Sequence, residues 1–185
     1  MRRILFVLLA LMMSVSMYAQ NGFNGSVEIN GGVGLDKYTN FSFGAAGVAG
    51  YKFADLFFVG AGVGIEYIDG LYFVDMAGEN SIDARFSIQP FGRVKANFTK
   101  SAISPYALVD VGATINTGDF PIKMATGLFF EPGIGCDFRL NSGQGVYFHI
   151  GYNSQNYEYK SFIGVTEELR KVKAGEFKVH VGFRF

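Results

Sequence analysis

The 185-residue sequence has little of what several protein classes need. Its single cysteine, Cys136, excludes an internal disulfide and a cysteine-based zinc site. Lys and Arg (16) balance Asp and Glu (16), so the chain has no excess positive charge to attract nucleic acid. Charged residues make up only 17% of the chain and hydrophobic residues 49%, which is unlike a disordered protein. A one-domain membrane or secreted protein remains.

Residues 1–19 have the layout of a secretory signal peptide. Two arginines precede an apolar run from Ile4 to Met13, and small and polar residues then lead to Ala19. This run of ten residues is too short for a membrane-spanning helix, which needs about 20 apolar residues. We therefore predict export, cleavage after Ala19 and a mature domain over residues 20–185.

The rest of the chain alternates between apolar and polar residues, with glycine on both faces. It contains no apolar stretch long enough for a membrane-spanning helix, and an alternation with a period of two is typical of β-strands. In the fifth segment the alternation is less regular, because Tyr106 and Leu108 fall on the polar face. The predicted strands cover residues 23–35, 41–53, 57–67, 83–98, 106–115, 128–140, 146–153 and 177–185.

The connections between these segments are short at one end of the strands and mostly long at the other. Short links are expected at 54–56, 99–103 and 141–145, and long loops at 69–81, 116–127 and 154–172. An even strand count with this arrangement of turns and loops is typical of bacterial outer-membrane barrels. The pattern predicts an all-β protein, an eight-stranded antiparallel up-and-down transmembrane β-barrel with its long loops outside the cell.

The polar face is predicted to line the lumen, because the opposite face carries almost no charge and would be too apolar for water. Aromatic residues near both ends of that apolar face, such as Phe43 and Tyr51, predict two interfacial girdles. Basic and acidic residues of the polar face are nearly balanced, which predicts mutual pairing inside the barrel. This predicted lumen charge network consists of Glu28, Lys52, Glu66, Asp83, Arg85, Arg93, Lys95, Asp110, Glu131, Asp137, Arg139, Lys178 and Arg184.

The final strand FKVHVGFRF and the segments SPYALVDVGA and FFEPGIGCDF carry a family resemblance. The chain resembles the small eight-stranded outer-membrane barrels of Gram-negative bacteria, such as the OmpA transmembrane domain and OmpX, and the PorT-like barrels of Bacteroides-type bacteria. The resemblance implies a monomer in the outer membrane, in contact with lipid and lipopolysaccharide. It also implies that Phe183 and Phe185 belong to the signal recognised by the barrel-assembly machinery.

The chain offers few candidates for a chemical site. His149 and His180, the only histidines, are predicted to face the lumen from neighbouring strands, where a metal or proton site is conceivable. No third ligand is evident in the sequence, and no serine lies two residues from either histidine, as a rim nucleophile would require. We therefore predict ordinary lumen histidines, with no catalytic, cofactor or metal residues.

A glycine-rich stretch and a loop region with apolar and basic residues are both interpreted as structural features. The glycine-rich stretch from Gly60 to Ile65 lies within a strand and opens no helix, so we interpret it as lumen packing and not as a nucleotide loop. The segment Leu71–Val74 and the cations Arg170, Lys171 and Lys173 are interpreted as a solvated rim, although contact with a partner or with lipid phosphates is the alternative.

The sequence thus predicts an integral outer-membrane barrel with a structural or surface-interaction role and a lumen closed by charged side chains. Three alternatives stay open: a narrow transport pore, a lipid-modifying outer-membrane enzyme and a secreted lipocalin-like carrier.

Overall fold

The computed structural model describes residues 22–36, 39–54, 56–74, 80–117, 127–140, 144–163 and 166–185. The described residues form eight strands. They are β1 (Phe23–Gly34), β2 (Phe41–Phe53), β3 (Phe57–Val74), β4 (Asn80–Asn97), β5 (Ile103–Thr117), β6 (Gly127–Arg139), β7 (Gly145–Ile163) and β8 (Thr166–Arg184). The predicted leader, residues 1–19, lies outside the described residues.

Each strand pairs antiparallel with the next one in the chain, and β8 pairs with β1 to close the sheet. At the closure Val27 lies opposite Phe183, and the backbones of Gly25 and Phe185 exchange two hydrogen bonds of 3.0 and 3.3 Å. Within the closed part of the barrel this leaves no unpaired sheet edge, which would be costly in an apolar medium. The predicted fold class, an eight-stranded antiparallel up-and-down barrel, is confirmed.

The two faces of the barrel differ in polarity as the alternation predicts. Large apolar side chains point outward along all eight strands, with Ile134 70% and Leu128 68% exposed. Charged side chains such as Glu66 and Asp137 point inward and are buried. No helix in the described part of the chain is long and apolar enough to span a membrane.

Aromatic side chains cluster on the outer face near both ends of the strands. At the loop end, the rings of Phe43 and Tyr67 lie 4.9 Å apart, and Phe86 packs against Tyr67 at 5.2 Å. At the turn end, Tyr51 and Phe53 lie 4.9 Å apart. These positions agree with the two girdles expected from the sequence.

Two of the predicted long loops are largely strand. β3 continues to Val74 and β4 begins at Asn80, while β7 and β8 pair as far as Ile163 opposite Thr166. The predicted loops 69–81 and 154–172 are therefore wrong in extent. The physical reason is that backbone pairing needs no apolar alternation once a strand has left the apolar zone, so the sequence signal ends before the strand does. Of the third predicted loop, 116–127, residues 118–126 lie outside the described part of the structure.

Candidate functional site in the barrel lumen

Most of the predicted lumen charges lie inside the barrel and are buried. An eight-stranded barrel has an interior just wide enough for side chains to fill, so long charged groups on different strands meet there. The buried members are Glu28, Glu66, Arg93, Asp110, Glu131, Asp137 and Lys178. The side chains of Asp83 and Arg85 lie outside the described residues.

A central cluster, made of Glu28, Arg93, Asp110 and Tyr147, crosses the lumen. From β4, Arg93 donates two hydrogen bonds to Glu28 on β1, at 2.7 and 2.9 Å, and two to Asp110 on β5, at 2.7 and 2.8 Å. Strands β1 and β4 are separated by two others, so the Arg93–Glu28 pair spans the interior. From β7, the Tyr147 hydroxyl donates to Glu28 at 2.8 Å. Both carboxylates thus share one guanidinium, whose fork geometry suits such pairing.

A loop-side cluster, made of Ser42, Glu66, Gln89, Glu176 and Lys178, lies nearer the long strand extensions. The Lys178 ammonium on β8 donates to Glu66 on β3 and lies 3.6 Å from Glu176. Gln89 donates to the second oxygen of Glu66, and Ser42 donates to Glu176. This cluster joins β2, β3, β4 and β8 across the lumen.

A turn-side cluster, made of Lys95, Asp137 and Arg184, lies at the opposite end. Asp137 accepts hydrogen bonds from Lys95 at 3.1 Å and from Arg184. The Lys95 ammonium also lies 3.9 Å from the centre of the Tyr106 ring, a distance at which a cation is attracted to an aromatic face. The cluster therefore joins β4, β6 and β8 just inside the turns.

Two other predicted network residues lie near the turn end of the lumen. Lys52 lines a cavity of about 40 Å³ beside the turn-side cluster. Arg139 donates hydrogen bonds to the carbonyl oxygens of Lys100 and Thr99 in the β4–β5 turn, at 3.0 and 3.4 Å. These contacts place Arg139 at the rim, against the backbone of the turn.

His149 on β7 and His180 on β8 lie directly opposite each other and stack, with ring centres 4.1 Å apart. His180 lies between two carboxylates, with Nδ1 3.4 Å from Glu28 Oε1 and Nε2 2.7 Å from Glu131 Oε1. Glu131 precedes Pro132, where the regular β6–β7 pairing is interrupted between Phe130 and Gly133. A proline has no N–H to donate to a neighbouring strand, which accounts for an interruption at this position.

Several lumen contacts involve residues that the sequence analysis did not place in the network. Glu176 lies on the inward face of β8 two residues before Lys178, and continuing the alternation backwards would have found it. Tyr106, Leu108 and Tyr147 form a buried apolar cluster inside the lumen, which explains the irregular alternation of β5. Large aromatic rings fill space that charged residues leave.

The whole chain is similar to a known family of membrane proteins. The family model described as "Outer membrane protein beta-barrel domain" matches residues 6–185. The chain belongs to this outer-membrane β-barrel family. A comparison with curated proteins finds no match.

Solved structures support the same fold. The chain is similar to the outer membrane protein OprG from Pseudomonas aeruginosa, with 13% identity, a TM-score of 0.62, and coverage of 89% of this chain and 96% of OprG. It is also similar to the outer membrane protein AlkL, with 13% identity, a TM-score of 0.57 and coverage of 89% and 90%. Its similarity to Neisserial surface protein A has 15% identity and a TM-score of 0.54, and it covers 89% of this chain and 98% of that protein. At these identities the likeness concerns the fold.

The family and the apolar outer surface together place the protein in the outer membrane, as the sequence predicts. In β8, Phe183 points outward, and the ring of Phe185, which follows this strand, lies against Gly25. Their role as an assembly signal stays a prediction, as do the leader peptide and the absence of enzymatic activity.

Proposed function

We propose that this outer-membrane barrel has a structural or surface-interaction role and that its charged lumen is closed to ion flow. The observation that carries the proposal is Arg93, which joins β4 to β1 across the interior and to β5 beside it. The loop-side cluster provides a second crossing between Lys178 and Glu66. Cavities of about 40 and 20 Å³ adjoin these clusters, and each has room for only one or a few water molecules.

The surface role is supported by the strand extensions. β7 continues for 11 residues beyond Tyr152, which packs on Phe177 in the aromatic zone. At about 3.3 Å per residue this is roughly 36 Å of strand. Paired with β8, it forms a long two-stranded extension at the loop end of the barrel, suited to contact with a partner outside the membrane.

The remaining partners follow from the outer face and the last strand. Outer-membrane lipid and lipopolysaccharide surround the apolar belt, and the barrel-assembly machinery reads Phe183 and Phe185 during insertion. A monomer is the expected state, since the sheet is closed within the barrel and offers no edge there for pairing with a second chain.

Conductance in planar lipid bilayers tests lumen closure. We expect no stepwise currents from the wild-type protein, and leak currents when both crossings are removed in an Arg93→Ser/Lys178→Ser double variant. Lys173→Ser, which removes an exposed cation of β8, is the matched control and should stay silent. Discrete channel openings in the wild-type protein would contradict the proposal and favour the narrow transport pore.

A further inference from the structure

Three potential metal-ligating side chains meet inside the lumen. Glu131, His149 and His180 come from β6, β7 and β8, and each offers one ligand atom within 4.8 Å of the other two. All three side chains are buried. Zinc ligands arranged tetrahedrally at about 2.1 Å from the ion lie about 3.4 Å from one another. Glu131 Oε1 and His180 Nε2 lie 2.7 Å apart, so binding requires small side-chain rotations that separate this pair and bring the three ligand atoms to equal spacing.

His149 and Glu131 are each held by a hydrogen bond to an outer partner that leaves one ligand atom free of hydrogen bonds. The Tyr106 hydroxyl lies 3.2 Å from the Phe148 carbonyl oxygen and 3.2 Å from His149 Nδ1. Because the hydroxyl donates its one hydrogen to the carbonyl, it accepts from His149 Nδ1–H. His149 Nε2 then carries a lone pair, and it has no hydrogen-bond partner among the described residues.

Glu131 follows the same arrangement, and His180 has a carboxylate beside its far ring nitrogen. Asn153 donates a hydrogen bond of 2.7 Å to Glu131 Oε2, which leaves Oε1 as the atom available to a ligand. His180 Nδ1 has no hydrogen bond of ordinary alignment, but Glu28 Oε1 lies 3.4 Å from it and is the nearest candidate to orient the ring, with Nε2 as the ligand atom. Although Glu131 Oε1 and His180 Nε2 are 2.7 Å apart, neither completes a hydrogen bond of ordinary alignment. A second partner on the far ring nitrogen, often a carboxylate, is the usual support of a metal-binding histidine.

The surrounding charge favours a cation. Among the described side chains, the central and loop-side clusters together with Glu131 contain more acidic than permanently basic groups. The carboxylates are Glu28, Glu66, Asp110, Glu131 and Glu176, and the cations are Arg93 and Lys178. Buried negative charge in excess is costly until a cation or protons neutralise it. A divalent ion at the histidine pair would offset two of these charges.

We propose that Glu131 Oε1, His149 Nε2 and His180 Nε2 bind one divalent transition-metal ion, with Zn²⁺ as the best match. Two imidazoles and one carboxylate are a ligand set that zinc accepts, with a fourth position left for water. A cavity of about 20 Å³, lined by Glu131 and His180, adjoins the site and has room for that water. The site joins three adjacent strands inside the barrel.

Zinc content of protein purified from outer membranes without a histidine tag tests the proposal. After chelation and re-equilibration with Zn²⁺, we expect one ion per chain by mass spectrometry. The background is low because the chain has only two histidines and one cysteine. A Cys136→Ser variant checks that the thiol makes no contribution.

Variants at the ligands and at an outer partner make the test specific. Glu131→Gln and His149→Ala should each weaken binding by at least about 100-fold. Tyr106→Phe should weaken it by about 10–100-fold with unchanged stoichiometry, the range seen when an outer partner is lost. Asp137→Asn is the matched control, since it removes a buried lumen carboxylate of the turn-side cluster, outside the site and outside the acidic groups counted above, and should leave the affinity unchanged. Each variant is first checked for a heat-dependent electrophoretic shift.

Co²⁺ provides a readout that does not depend on variants. Bound through nitrogen and oxygen in place of Zn²⁺, it should give visible absorption bands typical of four or five ligands. Unchanged affinity in Glu131→Gln, or a featureless Co²⁺ spectrum with no retained Zn²⁺, would overturn the proposal and leave His180 as a cation between Glu28 and Glu131. Neither result bears on bilayer conductance, so lumen closure is judged separately.

Discussion

Removal of Arg93 should be the most destabilising single change in the central cluster. Arg93 is 4% exposed and donates four hydrogen bonds to two buried carboxylates. Deleting one partner of a buried ion pair costs about 3–5 kcal/mol, because the remaining charge is left uncompensated. Since Arg93→Met leaves both Glu28 and Asp110, we expect a loss at the upper end, about 4–5 kcal/mol of the free energy of unfolding.

Equilibrium unfolding in urea, with the protein inserted in lipid vesicles, measures this loss. The chain has no tryptophan, so circular dichroism and tyrosine fluorescence report the transition. Adding Glu28→Gln and Asp110→Asn to Arg93→Met should restore more than half of the loss, because the uncompensated charges are then gone. Lys173→Met, an exposed control, should stay within about 0.5 kcal/mol of the wild type. A loss below about 1 kcal/mol for Arg93→Met, or no recovery in the triple variant, would refute this reasoning.

Two further variants probe the outer face and the lumen packing. Ile134→Arg places a charge at the most exposed large apolar side chain among those the structure describes, and it should cost about 2–4 kcal/mol in vesicles if that position lies near the bilayer midplane. A cost near zero would mean that Ile134 does not face hydrocarbon. Gly182→Ala would place a Cβ 2.2 Å from the ring of Tyr147, so it should displace this ring from Glu28 at a cost of about 1–3 kcal/mol. Adding Tyr147→Leu should remove that penalty, and a persistent penalty would point to the backbone.

The fold could be predicted almost completely from the sequence because each residue of a barrel strand faces one of two very different media. In β2, the predicted bounds and those of the structure coincide at Phe41 and Phe53. The alternation between lipid-facing and lumen-facing positions leaves no freedom of register there, since a slip of one residue would exchange the two faces. The same constraint explains why the lumen-facing side of β4 around Arg93 was predicted correctly.

The ends of the longer strands could not be predicted from this alternation. Beyond Tyr152 in β7, both faces carry polar or aromatic residues, and the alternation that marks a strand disappears from the sequence. Pairing with β8 continues nevertheless, because antiparallel backbone hydrogen bonds do not depend on a one-sided apolar face. Sequence periodicity therefore measures the height of the apolar belt and not the length of the strand.

Which lumen residues meet was not predictable, because periodicity gives the face of a residue but not its height in the barrel. His149 and His180 are separated by 30 residues, and only the register of β7 against β8 places them opposite each other. Glu131 reaches them from β6 beside the interrupted pairing at Pro132. The same closure that brings Arg93 between two carboxylates gives Glu131 only His180 as an ion-pair partner among the described side chains. A lumen filled by charged side chains is thus suited to bind a cation at the point where its carboxylates outnumber its basic groups.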